Sequence, residues 1–340
     1  MKPLDPLDLT RRLVDIESLT YNEGAVGAYL DALLRERGFA VERTAVAQPA
    51  QNRFTGERFN VYGGTGERPD VVLSTHMDTV PPFIPSSEDD LFLYGRGACD
   101  AKGIIAAQVA AAERLREAGV AVALLFVVGE ERDSAGARVA NLHAKGSRFL
   151  INGEPTDNRL ALASKGALRA EIRAHGTMAH SAYPELGDSA VHKLVQALHR
   201  LLALELPSAE GVGPSTLNVG VIDGGRAPNV IADAANAQVL VRLVGPSEPT
   251  RKAIEDAVAG LAEVEFTLEI PFLRMRQVEG LETMVAAFTT DIPALSNWGE
   301  PLLLGPGSIH VAHTPFEKIA KHELLRAVDL YFDVACRLAG

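Results

Sequence analysis

Four short stretches of this chain are apolar along both faces, and each runs into a histidine or an acidic residue. They are "VVLSTHMD" at 71–78, "VALLFVVGEE" at 122–131, "FLINGE" at 149–154 and "PLLLGPGSIHVAH" at 301–313. A strand with one wet face alternates apolar and polar residues; these do not, so both faces must be covered. The architecture that covers both faces is a mainly parallel sheet flanked by helices. The intervening sequence supplies them. "DLTRRLVDIESL" and "GAVGAYLDALLRERGF" carry helical apolar spacing over residues 8–38, "IIAAQVAAAERLREAG" is rich in strong helix formers, and a final helix closes the chain.

The texture changes near Ser164. "ALRAEIRAHG" alternates with period two, as a half-wet antiparallel strand does. A helix from about Ser189 to Leu204, the strands "STLNVGVIDGG" and "NAQVLVRLV", the helix "TRKAIEDAVAGLA" and the strand "VEFTLEI" follow. This reads as an α+β layer of antiparallel strands backed by two helices, inserted into the α/β unit. The expected division is 1–164 with 274–340 for the first domain and 165–273 for the insertion, with "LETMVAAFTT" expected as a helix where the first domain resumes.

The chemistry-bearing residues share one location. His76 and Asp78, Asp100 in "YGRGACDAKG", Glu130 and Glu131, Glu154, and His313 all lie just past predicted strands. In open α/β sheets, sites form outside the carboxyl ends of strands. Imidazoles and carboxylates converging there suit a divalent cation. "YGRGACDAKG" faintly imitates a dinucleotide fingerprint, but Asp100 stands where a pyrophosphate would rest and would repel it.

The net charge of −11 and the lack of a basic run argue against nucleic acid as a partner. Two cysteines, Cys99 and Cys336, make no disulfide framework. The first residues, "MKPLDPLDLTRRLVDIE", lack the apolar run of a signal peptide, and no apolar stretch is long enough to span a bilayer. The expected location is the cytoplasm, with no membrane partner.

"STHMDTVPP", "LYGRGACDAKG", "VVGEE", "NGEPT", "GTMAHSAYPELGDSA" and "GPGSIHVAHTPFE" occur in this order along essentially the whole chain. Together they resemble the zinc aminoacylase and carboxypeptidase family, which includes acetylornithine deacetylase and succinyl-diaminopimelate desuccinylase. The resemblance implies two Zn2+ per chain, with Co2+ or Mn2+ as substitutes, clamping a hydrolytic water. His76 and Glu154 would hold one ion, Glu131 and His313 the other, and Asp100 would bridge them. Asp78 would orient His76, and Glu130 would be the general base.

It further implies that the inserted domain mediates a homodimer. His180 would reach the partner's active site to stabilise an oxyanion, while Asn229 and Arg242 would hold substrate, Arg242 through an α-carboxylate. The implied reaction is hydrolysis of the amide of an N-acyl amino acid, with carboxypeptidase or dipeptidase action on a short peptide as the alternative. A metal-binding relative without catalysis is the alternative of another class; Glu130 beside Glu131 speaks against it. Two departures bear on the substrate: His310 stands where many of the deacetylases have aspartate, and no acidic residue directly precedes Arg242.

Overall fold

A computed structural model describes residues 3–50, 52–66 and 68–340. The chain forms two units: residues 1–161, 275–284 and 290–340 make the first, and residues 162–274 with 285–289 the second.

The first unit is built on a six-stranded sheet. Its spatial order is Ala40–Ala45, Phe59–Gly64, Val122–Val127, Val71–His76, Phe149–Asn152, Glu300–Leu303. The last four run parallel, while Ala40–Ala45 and Phe59–Gly64 form an antiparallel edge. Every residue of Val71–His76 and of Val122–Val127 is buried, as their uninterrupted apolar character requires.

The two faces of these strands have different covers. Val71, Leu73, Leu124, Phe126 and Ile151 pack with helices Pro6–Val14, Gly24–Glu36, Lys102–Glu117 and Lys321–Ala339. Val72, Ala123, Leu125, Val127 and Leu150 pack instead against helix Ala135–Leu142, Leu295 and Trp298. Trp298, 2% exposed, also donates from Nε1 to the Ala140 carbonyl at 3.2 Å, so its one polar atom is satisfied inside the core.

The register decides where the strands end. Val71 pairs with Val122 and His76 with Val127, so the two strands finish level. Met77 N–H extends the ladder by one bond to the Val127 carbonyl at 2.8 Å. The residues that follow both strands therefore emerge side by side.

The second unit is a four-stranded antiparallel sheet in the order Thr216–Gly224, Ala234–Leu243, Gly166–His175, Glu263–Ile270. Leu168, Ala170 and Ile172 alternate with Arg169, Glu171 and Arg173. The apolar set meets Leu194 and Leu198 of helix Ala190–Leu202 and Ile254 of helix Glu248–Val258. Ser189 caps the first of these helices, its hydroxyl accepting from His192 N–H at 3.3 Å.

One expected element differs. Residues 281–290 form no helix; Thr283–Ala286 is a strand in the same small sheet as Leu160–Ser164. Leu160 N–H donates to the Glu282 carbonyl and Lys165 N–H to that of Ala286, each at 2.9 Å. The segment offers barely a turn of apolar spacing, and a neighbouring strand with free backbone groups outweighs such a weak helical preference.

Candidate metal centre

Five of the sequence-predicted residues meet at the carboxyl end of the parallel strands. Two groups of side chains could each hold a metal ion: His76, Asp100 and Glu154, and Asp100, Glu131 and His313, with ligand atoms inside each group all within 4.8 Å of one another. Asp100 belongs to both. Its Oδ1 lies 3.0 Å from His76 Nε2 and its Oδ2 3.3 Å from His313 Nε2, so its two oxygens face two different donor sets. His313 Nε2 also lies 3.0 Å from Glu131 Oε1.

The ring orientation of His76 is set by backbone. Its Nδ1 is 2.9 Å from the Asp78 carbonyl oxygen, a contact that only a protonated Nδ1 can make as a donor, and this leaves Nε2 with its lone pair available to a metal ion. The Asp78 carboxylate is farther from that nitrogen, 3.6 Å, and is engaged elsewhere. Its Oδ1 accepts the N–H groups of Gly129 and Glu130 at 2.9 and 3.1 Å. Its Oδ2 accepts Glu131 N–H at 3.3 Å and the Thr20 hydroxyl at 2.8 Å. The orienting role expected of this carboxylate thus passes largely through its carbonyl, while the carboxylate shapes the turn that carries Glu130 and Glu131.

That turn needs its glycine. Gly129 has φ +81°, and a Cβ there would fall 2.1 Å from Arg58 Nη2. Arg58 is itself fully buried and bonded through Nε to both oxygens of Glu23 at 3.2 Å. His313 has φ 63°, in the left-handed region that few non-glycine residues occupy. The Asp100–Ala101 peptide is cis.

The electrostatics of the cluster favour a cation. Burial pushes Glu130 and Glu154 well above the usual carboxylate range; for Glu130 the charge of Glu154 adds to the shift, and for Glu154 that of Asp100 does so. Burial likewise raises Glu131. Asp100 goes the other way, because bonds from His313 and His76 outweigh the cost of its burial and hold it low. His313 is raised to about 10 by its contacts with Asp100 and Glu131. His76 is raised too: burial opposes its charge, but Asp100 and Asp78 prevail. Glu154 Oε1 is buried with no hydrogen-bond partner among the described residues. A buried carboxylate oxygen facing other carboxylates with nothing donating to it is the arrangement a cation completes. Nitrogen and oxygen donors without a thiolate suit zinc, cobalt or manganese. Cys99 is buried and its thiol is directed to the Ser308 carbonyl and Glu317, consistent with a packed side chain.

Three residues at the site had no role assigned from sequence. Thr20 holds Asp78. Asp291 is 1% exposed, and burial, opposed in part by the neighbouring Ser134 hydroxyl, raises it to about 6. Glu317 binds the backbone that carries Asp100. Glu317 and Asp291 lie within "GPGSIHVAHTPFE" and "TTDIPAL", but nothing in either stretch says which backbone or charge they face.

The remaining predicted residues lie in the second unit. His180 sits on the short strand Ala179–His180, paired with Val230–Ile231, and is exposed. Its Nδ1 accepts Ala182 N–H at 3.1 Å. Asn229 is adjacent, its carbonyl accepting Ser181 N–H at 3.0 Å. Arg242 lies on the strand Ala234–Leu243, opposite Thr216 and Ala167, and burial lowers its pKa. Among the described residues no carboxylate comes within 4.0 Å of its guanidinium.

Comparison with known proteins places this geometry in context. A family profile described as a peptidase dimerisation domain matches residues 162–284. A peptidase M20 domain-containing protein of Schizosaccharomyces pombe is 37% identical over 338 residues, covering 96% of this chain and 82% of the relative. A probable carboxypeptidase of Paracoccidioides brasiliensis is 37% identical over 368 residues, covering 96% and 83%. Among solved structures, a tripeptidase from Staphylococcus aureus superposes with a TM-score of 0.81 at 21% identity, over 99% of both chains. A dinuclear metal-binding peptidase of the M20 family from Bacillus subtilis superposes with a TM-score of 0.69 at 17% identity, over 98% of this chain and 97% of that one.

Proposed function

Since the chain belongs to the M20 family of metallopeptidases, we propose that it hydrolyses the amide bond that joins an acyl group to an amino acid bearing a free carboxylate. An N-acyl amino acid and the C-terminal residue of a short peptide present this same unit. The deacylase reading takes a simple acyl group on the carbonyl side; the carboxypeptidase or dipeptidase reading takes an aminoacyl group, and the names of the fungal and bacterial relatives favour it. The observation that carries the proposal is the bidirectional Asp100, whose two oxygens each serve one histidine-containing donor set.

His76 and Glu154 would hold one divalent ion, Glu131 and His313 the other, with Asp100 between them. Two bound zinc ions would supply Lewis-acid polarisation of the scissile carbonyl and a water acidified toward neutral pH. Glu130 takes a proton from the attacking water and hands it to the departing nitrogen. Its half-buried, carboxylate-rich surroundings suit it to hold that proton between the two steps. Asp78 keeps Glu130 and Glu131 apart in role by gripping the backbone of both. Arg242, half-buried and without a carboxylate partner among the described residues, takes the substrate carboxylate through two parallel N–H···O bonds. Asn229 assists in holding substrate. His180 donates to the developing oxyanion across a homodimer.

The test is a panel of N-acetyl and N-succinyl amino acids, dipeptides and tripeptides, each with its C-terminally amidated counterpart, assayed with added Zn2+ or Co2+. Hydrolysis confined to members with a free carboxylate, and lost in Glu130→Ala, is the expected result. No turnover across the panel, or turnover indifferent to Glu130→Ala, would refute the proposal.

A further inference from the structure

Residues Arg96 to Asp100 form a tight loop between the strand Phe92–Tyr94 and the helix Lys102–Glu117. The N–H groups of Gly97, Cys99 and Asp100 point away from any strand or helix ladder and need an acceptor inside the protein. One oxygen serves all three: Glu317 Oε1 accepts them at 2.9, 3.3 and 3.2 Å. The other oxygen, Oε2, accepts from Arg96 Nη1 at 2.5 Å. Both side chains are buried, 0% exposed for Glu317 and 2% for Arg96. A carboxylate seated in converging backbone N–H groups is an anion nest built from the protein's own chain.

The location gives the nest its meaning. Asp100 is the residue shared between the two donor sets. Glu317 lies four positions after His313, and its own carbonyl accepts Gly95 N–H at 3.1 Å. One residue therefore ties the loop carrying Asp100 to the segment carrying His313, which comes from the other end of the chain. A buried ion pair is a poor device for stability, because desolvating both charges costs about as much as their attraction returns. Position is what this pair supplies and what an apolar pair of the same volume could not.

We propose that Glu317 is a positioning residue for the dinuclear site: by clamping the Asp100 loop to the His313 segment it sets the spacing at which two divalent cations share Asp100. The inference rests on the dinuclear reading above. It assigns Glu317 no contact with either ion and no part in proton transfer.

Two variants test it: Glu317→Gln, and Arg96→Gln with Glu317→Gln, which leaves no buried charge without a partner and guards against a Glu317→Gln chain that fails to fold. Each is stripped with chelator, checked by thermal unfolding, and titrated with Co2+ while the visible absorption of the bound ion is recorded. The expected result is a folded protein that binds Co2+ about 10- to 100-fold more weakly, the range typical when a group behind a metal ligand is removed, with altered band positions. A purely structural role would lower the melting temperature and leave the cobalt affinity and spectrum of the folded variants as in the wild type; that result overturns the proposal. A wild-type protein that takes up no Co2+ would instead refute the dinuclear reading on which the proposal rests.

Discussion

Replacing Asp78 by asparagine should loosen the turn that carries Glu130 and Glu131, and the cost can be worked from its bonds. The carboxylate accepts four donors: three backbone N–H groups and the Thr20 hydroxyl. An asparagine oxygen can keep Gly129 and Glu130, but those two bonds lose their charge assistance, about 1 kcal/mol each. The amide nitrogen then faces Thr20 and Glu131. The hydroxyl can turn to accept from it, whereas Glu131 N–H is left without an acceptor, at about 1–3 kcal/mol. Relief from burying a charge offsets part of this, since burial is the largest influence acting against ionised Asp78. The net expectation is a loss of about 2–4 kcal/mol, read from urea unfolding of the chelator-stripped protein. Because Glu131 hangs from this turn, Co2+ binding should weaken by at least tenfold in the same variant. An Asp78→Asn protein within about 0.5 kcal/mol of wild type, binding cobalt normally, would show that the Asp78 carboxylate does not organise the turn.

Other outcomes follow from the same geometry. Glu130→Gln should lower kcat by about 10²- to 10⁴-fold while leaving cobalt stoichiometry unchanged, because Glu130 belongs to neither donor set. The metal-free protein should lose stability as pH rises. Glu130, Glu131 and Glu154 are raised from 4.5, and His313 from 6.5 to about 10, so the folded state holds protons that the unfolded chain has released. Their contribution is complete below pH 4.5 for the glutamates and 6.5 for the histidine, and fades as pH climbs through the raised values. Asp78 and Asp100 shift downward from 3.8 and act only in acid, outside that window. Melting temperatures in chelator should fall between about pH 5 and 10 and should fall much less with bound Co2+, which would hold Glu131, Glu154 and His313 deprotonated. Arg242→Met should raise KM for substrates with a free carboxylate and leave their amides untouched; equal effects on both would remove the guanidinium from carboxylate recognition.

The strand ends could be located from sequence because burial on both faces leaves a plain mark: "VVLST" and "VALLFVV" contain no wet side, and the first polar residue after each marks the rim. Parallel register then brings the rims together, and His76, Glu130 and Glu131 with them. Thr20, Asp291 and Glu317 left no such mark. Each is a single polar residue whose importance arises from contact across the fold: Thr20 meets a side chain 58 positions away, and Glu317 an N–H 217 positions away. The direction of the edge strands Ala40–Ala45 and Phe59–Gly64 leaves no mark either, since it depends on a neighbour. Thr283–Ala286 differs from its expected helix for the same reason: a weak apolar spacing suggests a helix until a partner strand is present.

A sheet end crowded with carboxylates is a destabilised surface in the absence of cations, and the fold shows where the opposing support comes from. Asp78 and Glu317 sit behind the candidate ligands, and each is saturated with donors: backbone N–H groups for both, the Thr20 hydroxyl for one and the Arg96 guanidinium for the other. Glu154, which faces the centre, has a buried oxygen with no donor among the described residues. The satisfied acids hold backbone, and Glu154 is open to a ligand. Were the cluster merely a solvated acidic rim, its carboxylates would be exposed and its donors distributed without regard to position; instead Asp78, Asp100 and Glu154 are each at most 5% exposed. Such burial of mutually repelling groups persists only where the surrounding structure over-determines it, and the two saturated carboxylates are the means by which this chain does so.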